Sequence, residues 1–210
     1  MIDTKTNTVT TTVPSGGRGP GHLAITPNGQ RIYVTNSSTD NVSVISTKTN
    51  AVVTTIPAGD LPNGVGITPN GQRAYVTNLN SGTVSVIDTR TNAVTATIPV
   101  GTWPRGVAFT PKGDRAYVAN QLDNTVSVID TKTNAVTTTI PVGTWPRGVA
   151  FTPKGDRAYV ANQLDNTVSV IDTKTNAVTT TIPVGDAPNG VAITPRTVAK
   201  PNSPNSPTSS

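Results

Sequence analysis

The chain has 210 residues, 34% of them apolar, with a formal charge of +5 and 11 acidic residues that are all Asp. With no cysteine it has no disulfide, thiolate metal site or cysteine nucleophile, and no run approaches the roughly 18 apolar residues of a membrane span. Leu is scarce while Val, Thr, Gly, Asn and Pro dominate, so strong helix formers are missing, strand and turn formers abound, and the composition is all-β.

The opening MIDTKTN has neither the basic start nor the apolar segment of a signal peptide, and it falls in the middle of a repeat. Gly17, Gly59, Gly101, Gly143 and Gly185 recur every 42 residues, as do Tyr33, Tyr75, Tyr117 and Tyr159, and residues 100–141 reappear unchanged as 142–183. An outer strand is expected ahead of Pro14, followed by one extra residue in the PSGGRGP loop (14–20), where an insertion is tolerated.

Each full repeat then predicts four short strands, a to d, which in the third copy are GVAFT (106–110), RAYVAN (115–120), TVSVID (125–130) and AVTTTI (135–140). Between a and b, TPKGD or TPNGQ supplies a Pro that presets a turn and a Gly for positive φ. Between c and d, DTKTN supplies Asp130 to accept backbone N–H groups and Asn134 for a left-handed residue. Strand a sets Val107 and Phe109 against Gly106, Ala108 and Thr110, so its small face permits convergence near an axis. Strands b and c are apolar on both faces. Thr-rich d ends in proline, as an outer edge should.

Four-stranded antiparallel blades of this length, arranged radially, make a β-propeller. Four complete blades are expected, with an unpaired first outer strand and an unpaired last inner strand at 190–194. The result is either an open or imperfectly closed arc, or an association of chains that covers the unfinished ends. The tail 195–210 (PRTVAKPNSPNSPTSS) has no apolar period and is expected to be a disordered linker or stalk.

Little in the sequence suggests catalysis. His22 is the only histidine and stands where later copies have Gly64, Gly106 and Gly148. Asp88, Asp130 and Asp172 recur at one turn and read as turn-builders, as do Asp123 and Asp165 in QLDN. Asn36 and Asn41 sit in glycosylation-type sequons. No catalytic residue, metal ligand set or cofactor is assigned, and neither hydrolase nor oxidoreductase activity is expected.

The position that departs from a bare scaffold is the loop before strand a. Around an invariant proline it reads RGPG (18–21), DLPN (60–63), TWPR (102–105 and 144–147) and DAPN (186–189). Trp103, Arg105, Trp145 and Arg147 are candidate contacts for a ligand or partner, since Trp stacks on planar groups and Arg pairs with anions. The same tryptophans also fit a purely structural role, covering the junction between blades.

YVTN at 33–36 and 75–78, YVAN at 117 and 159, the recurrent VIDTKTNAV and P-x-G-V-x-x-T-P-x-G closely resemble the YVTN-family β-propeller repeat over residues 1–194. Seven blades are common in that family. The resemblance implies a surface-layer-like, extracytoplasmic or cell-surface setting, while the repeated architecture and the missing chemistry point to a non-enzymatic interaction scaffold with a protein or cell-surface partner. The +5 charge favours an acidic partner, although the basic residues are dispersed and also fit a solubility role. Two alternatives stand beside this reading. One is polyanion or nucleic-acid binding through the Trp/Arg loops. The other, by fold analogy, is an enzyme or cofactor-binding propeller of lactonase-like or quinoprotein-like type.

Overall fold

The computed structural model describes residues 1–194, and every regular element among them is a β-strand. No helix of the described residues is long and apolar enough to cross a membrane. The chain opens with a two-stranded hairpin of β1 (Ile2–Asp3) and β2 (Thr8–Val9), closed by the DTKTN turn with Asn7 at φ 54°. The first outer strand is therefore not unpaired as expected. Residues 1–3 are the tail of a c strand, and the turn that joins c to d in every blade closes here as well.

Blade 1 follows as β3 (Pro20–Ile25), β4 (Arg31–Asn36), β5 (Asn41–Ser46) and β6 (Ala51–Pro57). Blade 2 is β7 (Pro62–Ile67), β8 (Arg73–Asn78), β9 (Thr83–Asp88) and β10 (Ala93–Pro99). Blade 3 is β11 (Pro104–Phe109), β12 (Arg115–Asn120), β13 (Thr125–Asp130) and β14 (Ala135–Pro141). Blade 4 is β15 (Pro146–Phe151), β16 (Arg157–Asn162), β17 (Thr167–Asp172) and β18 (Ala177–Pro183). Each is an antiparallel meander in sequence order, and the inner strands β3, β7, β11 and β15 lie side by side. The predicted strands recur almost residue for residue. Strand a starts two residues early, because Pro104 faces Asn120 across a bulge before Val107. The last inner strand expected at 190–194 does not form, because these residues make no ladder with any strand among the described residues. They lie beside β15, where Gly148 N–H donates to Asn189 O at 3.0 Å. The predicted disordered tail lies outside the described residues.

The turns follow their sequence chemistry. Gly29, Gly71, Gly113 and Gly155 take φ between 69° and 73° in the a–b turns, where the glycine can adopt the left-handed conformation without a Cβ clash. In the c–d turns Asp130 Oδ1 accepts from the N–H groups of Lys132 (2.9 Å) and Thr133 (2.8 Å), and Asp88 and Asp172 do the same. These N–H groups, Thr91, Thr133 and Thr175 foremost, hold the three carboxyls below their ordinary pKa.

The cores lie between blades. Tyr33, Val42, Val44 and Ile56 on one face of blade 1 pack against Ala74, Val76 and Ile87 of blade 2, and the same arrangement recurs between blades 2 and 3 and between blades 3 and 4. We call the tyrosine-bearing face of a blade its leading face and the opposite one its trailing face. A polar fastener crosses each junction at the rim. Tyr33 OH donates to Asn92 Oδ1 (2.8 Å), Tyr75 OH to Asn134 Oδ1 (2.7 Å) and Tyr117 OH to Asn176 Oδ1 (2.6 Å). Beside them Arg31, Arg73 and Arg115 donate to the carbonyls of Thr89, Thr131 and Thr173. Burial raises the three phenol pKa values.

Candidate ligand-binding face

The meander sends the d-to-a loops and the b–c turns to one side, where they bond to each other. Trp103 O accepts from Gln121 N–H and Trp145 O from Gln163 N–H, both at 3.0 Å. The residue before the invariant proline is left-handed in every copy, at Leu61 (φ 57°), Trp103 (55°), Trp145 (57°) and Ala187 (49°), with Gly19 in the same role. Such a conformation costs a side-chain-bearing residue about 1–2 kcal/mol and is held by the neighbouring turn. Asn124 Oδ1 accepts the Trp145 N–H at 3.0 Å, and Asp40 and Asn166 treat Leu61 and Ala187 alike. Asp123 and Asp165 reach further than their own turns, accepting the N–H of Thr102 (2.7 Å) and Thr144 (2.6 Å). Asn36 is fully buried and its amide donates to Asn41 Oδ1 and Ser43 Oγ, so its sequon is sealed inside the fold.

Held in this way, Trp103, Arg105, Trp145 and Arg147 are all half-buried on one side of the arc. The Arg105 guanidinium lies 5.4 Å from the centre of the Trp103 ring, and its Nε donates to Gln121 Oε1 at 2.5 Å. Burial pulls the Arg105 pKa below its ordinary value, and the nearby positive charge of Arg147 adds to that. In the identical sequence one blade later, Arg147 Nε and Gln163 Oε1 are both buried and without a partner among the described residues.

Both arginines line a cavity of about 420 Å³ at the inner strands, together with His22, Asn63 and Asn189. No carboxylate is among its lining residues. Glycines fix its walls. A Cβ on Gly64 or Gly106 would come closer than 3.0 Å to the carbonyl oxygen of Arg105 or Arg147, so only glycine lets neighbouring inner strands approach this closely. Thr77 Oγ1 adds a cross-blade tie by donating to Arg105 O at 2.7 Å.

The four predicted contact residues are thus brought to one face, and the two arginines to one cavity. His22 shares that cavity, whereas Asp60 is not among the residues lining it. Among the described residues no three His, Cys, Asp or Glu side chains cluster as metal ligands would. The sequence reading passed over Gln121 and Gln163, although a signal existed: Gln follows YVAN only in the two blades that carry TWPR.

Two family models match parts of the chain, a YNCE-like β-propeller over residues 108–197 and a 7-bladed β-propeller lactonase over 62–140. No curated protein matches it. Among solved structures it is similar to hydrazine synthase from Kuenenia stuttgartiensis, with 28% identity and TM-score 0.77 over 82% of this chain and 51% of that one. It also shares the fold of a functionally unknown protein from Desulfotomaculum acetoxidans DSM 771, with 22% identity and TM-score 0.74 over 85% of this chain and 60% of that one. The chain therefore spans between half and two thirds of the length of these neighbours. Repeat geometry, the two partial family matches and the neighbouring structures agree that these are blades of a β-propeller.

Proposed function

We propose that the chain is a non-enzymatic interaction scaffold, working at the cell surface or otherwise outside the cytoplasm, whose Trp/Arg loop face receives an acidic partner. One observation carries the binding reading: Arg105 and Arg147, from adjacent inner strands, converge on a single cavity with no carboxylate in its lining. Desolvated guanidinium groups offer fixed donor forks to a carboxylate, and the flanking tryptophans supply stacking area. The extracytoplasmic setting rests on the YVTN resemblance.

Binding of a fluorescent oligoglutamate peptide tests this. The double variant Arg105→Ala, Arg147→Ala should weaken binding at least tenfold while the far-ultraviolet circular dichroism stays unchanged. Unaltered binding would refute the site, and lost folding would make the arginines structural. Tighter binding of a single-stranded oligonucleotide than of the peptide, with a salt slope that falls by roughly one for each arginine removed, would favour the polyanion reading. A catalytic reading draws on the lactonase-type match over residues 62–140. Turnover that is lost on changing His22 or Asp60 would favour it.

A further inference from the structure

Three blade junctions use one set of contacts, and two blade faces carry the halves of that set unmatched. On the leading face of blade 4, Tyr159 and Arg157 stand where Tyr117 and Arg115 stand in blade 3. Among the described residues, however, they have no acceptor corresponding to Asn176 Oδ1 and Thr173 O. Tyr159 is half-buried, whereas Tyr33, Tyr75 and Tyr117 are fully buried, and Arg157 is exposed. The apolar component is open too. Ile182 is 41% exposed, against 2–3% for its counterparts Ile56, Ile98 and Ile140.

The trailing face of blade 1 carries the other half. Asn50 occupies the acceptor position of Asn92, Asn134 and Asn176, and its Oδ1 is buried without a donor among the described residues. Ile25, 53% exposed, occupies the position of Phe109 and Phe151, whose rings meet Tyr75 and Tyr117 edge-on at 5.0 and 4.9 Å. Where blade 3 carries Phe109 with Ala116, blade 1 carries Ile25 with Ile32, a pair of similar combined bulk. Donors therefore face missing acceptors on one surface, acceptors face missing donors on the other, and the apolar parts match in size.

We propose that the leading face of blade 4 docks on the trailing face of blade 1 of a second copy of this chain, reproducing the junction already made three times within it. Tyr159 OH then donates to the partner copy's Asn50, and Ile182 and Ile25 leave water. The partner copy's β3 takes the place beside β15 held by residues 189–194, which a single backbone hydrogen bond ties there. Because the two surfaces differ, the contact is heterologous, propagating into a ring if its rotation closes and into an open filament if it does not.

Light scattering on the 210-residue chain between micromolar and millimolar concentration tests this, with folding monitored by circular dichroism. The mass should rise above that of a monomer with concentration. Ile182→Asp and Ile25→Asp should each weaken association at least tenfold, and Tyr159→Phe by a few-fold. A heterologous contact also makes a prediction that aggregation does not share. The Ile182→Asp chain retains its blade 1 face and the Ile25→Asp chain its blade 4 face, so when mixed they should form a capped one-to-one dimer. A monomer at every concentration, or a mixture that yields no one-to-one species, would overturn the proposal.

Discussion

One substitution, Tyr→Phe, separates junction energy from blade energy because it can be made at equivalent positions in different surroundings. In Tyr75→Phe the ring keeps its edge-to-face contact with Phe109, and Arg73 keeps its bond to Thr131 O. Only the 2.7 Å bond to Asn134 Oδ1 is lost. A hydrogen bond of this kind contributes about 0.5–1.5 kcal/mol net, and more is lost if the acceptor is left dry. Asn134 is half-exposed, so water takes up part of the loss and the cost should be about 1 kcal/mol. Tyr159→Phe removes the same hydroxyl where no blade of the described residues stands opposite and should cost less than about 0.5 kcal/mol. The assay is urea unfolding followed by circular dichroism at low micromolar concentration. With a slope of about 1–3 kcal/mol per molar urea, Tyr75→Phe lowers the midpoint by roughly 0.3–1 M while Tyr159→Phe leaves it in place. Equal midpoints for the two variants would refute the idea that this hydroxyl belongs to the junction.

Other predictions follow from the same contacts. Gly106→Ala forces a Cβ against Arg147 O and should cost about 1–3 kcal/mol, whereas Gly190→Ala, with nothing among the described residues within 4 Å, should be nearly neutral in the same urea assay. Asp88, Asp130 and Asp172 have folded pKa values below their unfolded ones, so their stabilisation is present above the unfolded carboxylate value of about 4 and is lost as pH falls through the lower folded values. Acid unfolding followed by circular dichroism should show this, with a shallower acid limb in Asp130→Asn. Tyr33, Tyr75 and Tyr117 have the opposite sign. Their pKa values are raised in the fold, so stability should fall as pH climbs above about 10 towards those folded values, less steeply in a variant with Phe at all three positions.

The sequence by itself determined the strands, their order in a blade and the turn chemistry, because each depends on residues within a few positions of one another: proline and glycine at TPKGD, the Asp-headed DTKTN turn, and apolar runs of strand length. The 42-residue step also determined that one unit is stacked repeatedly. Contacts that span two blades were decided only by the tertiary structure. The partner of Tyr75 is Asn134, 59 residues away, and nothing local to YVTN points to it. The left-handed conformation of Trp103 and Trp145 was hidden as well, since it opposes their intrinsic preference and is imposed by the packing of the adjoining loops. Residues 100–141 and 142–183 make the division plain. They are identical in sequence, yet Arg105 Nε is bonded to Gln121 Oε1 while Arg147 Nε and Gln163 Oε1 are buried with no partner among the described residues, and Tyr117 is sealed in while Tyr159 is half open. Identical segments have identical local preferences, so such differences can come only from the neighbouring blade on each side.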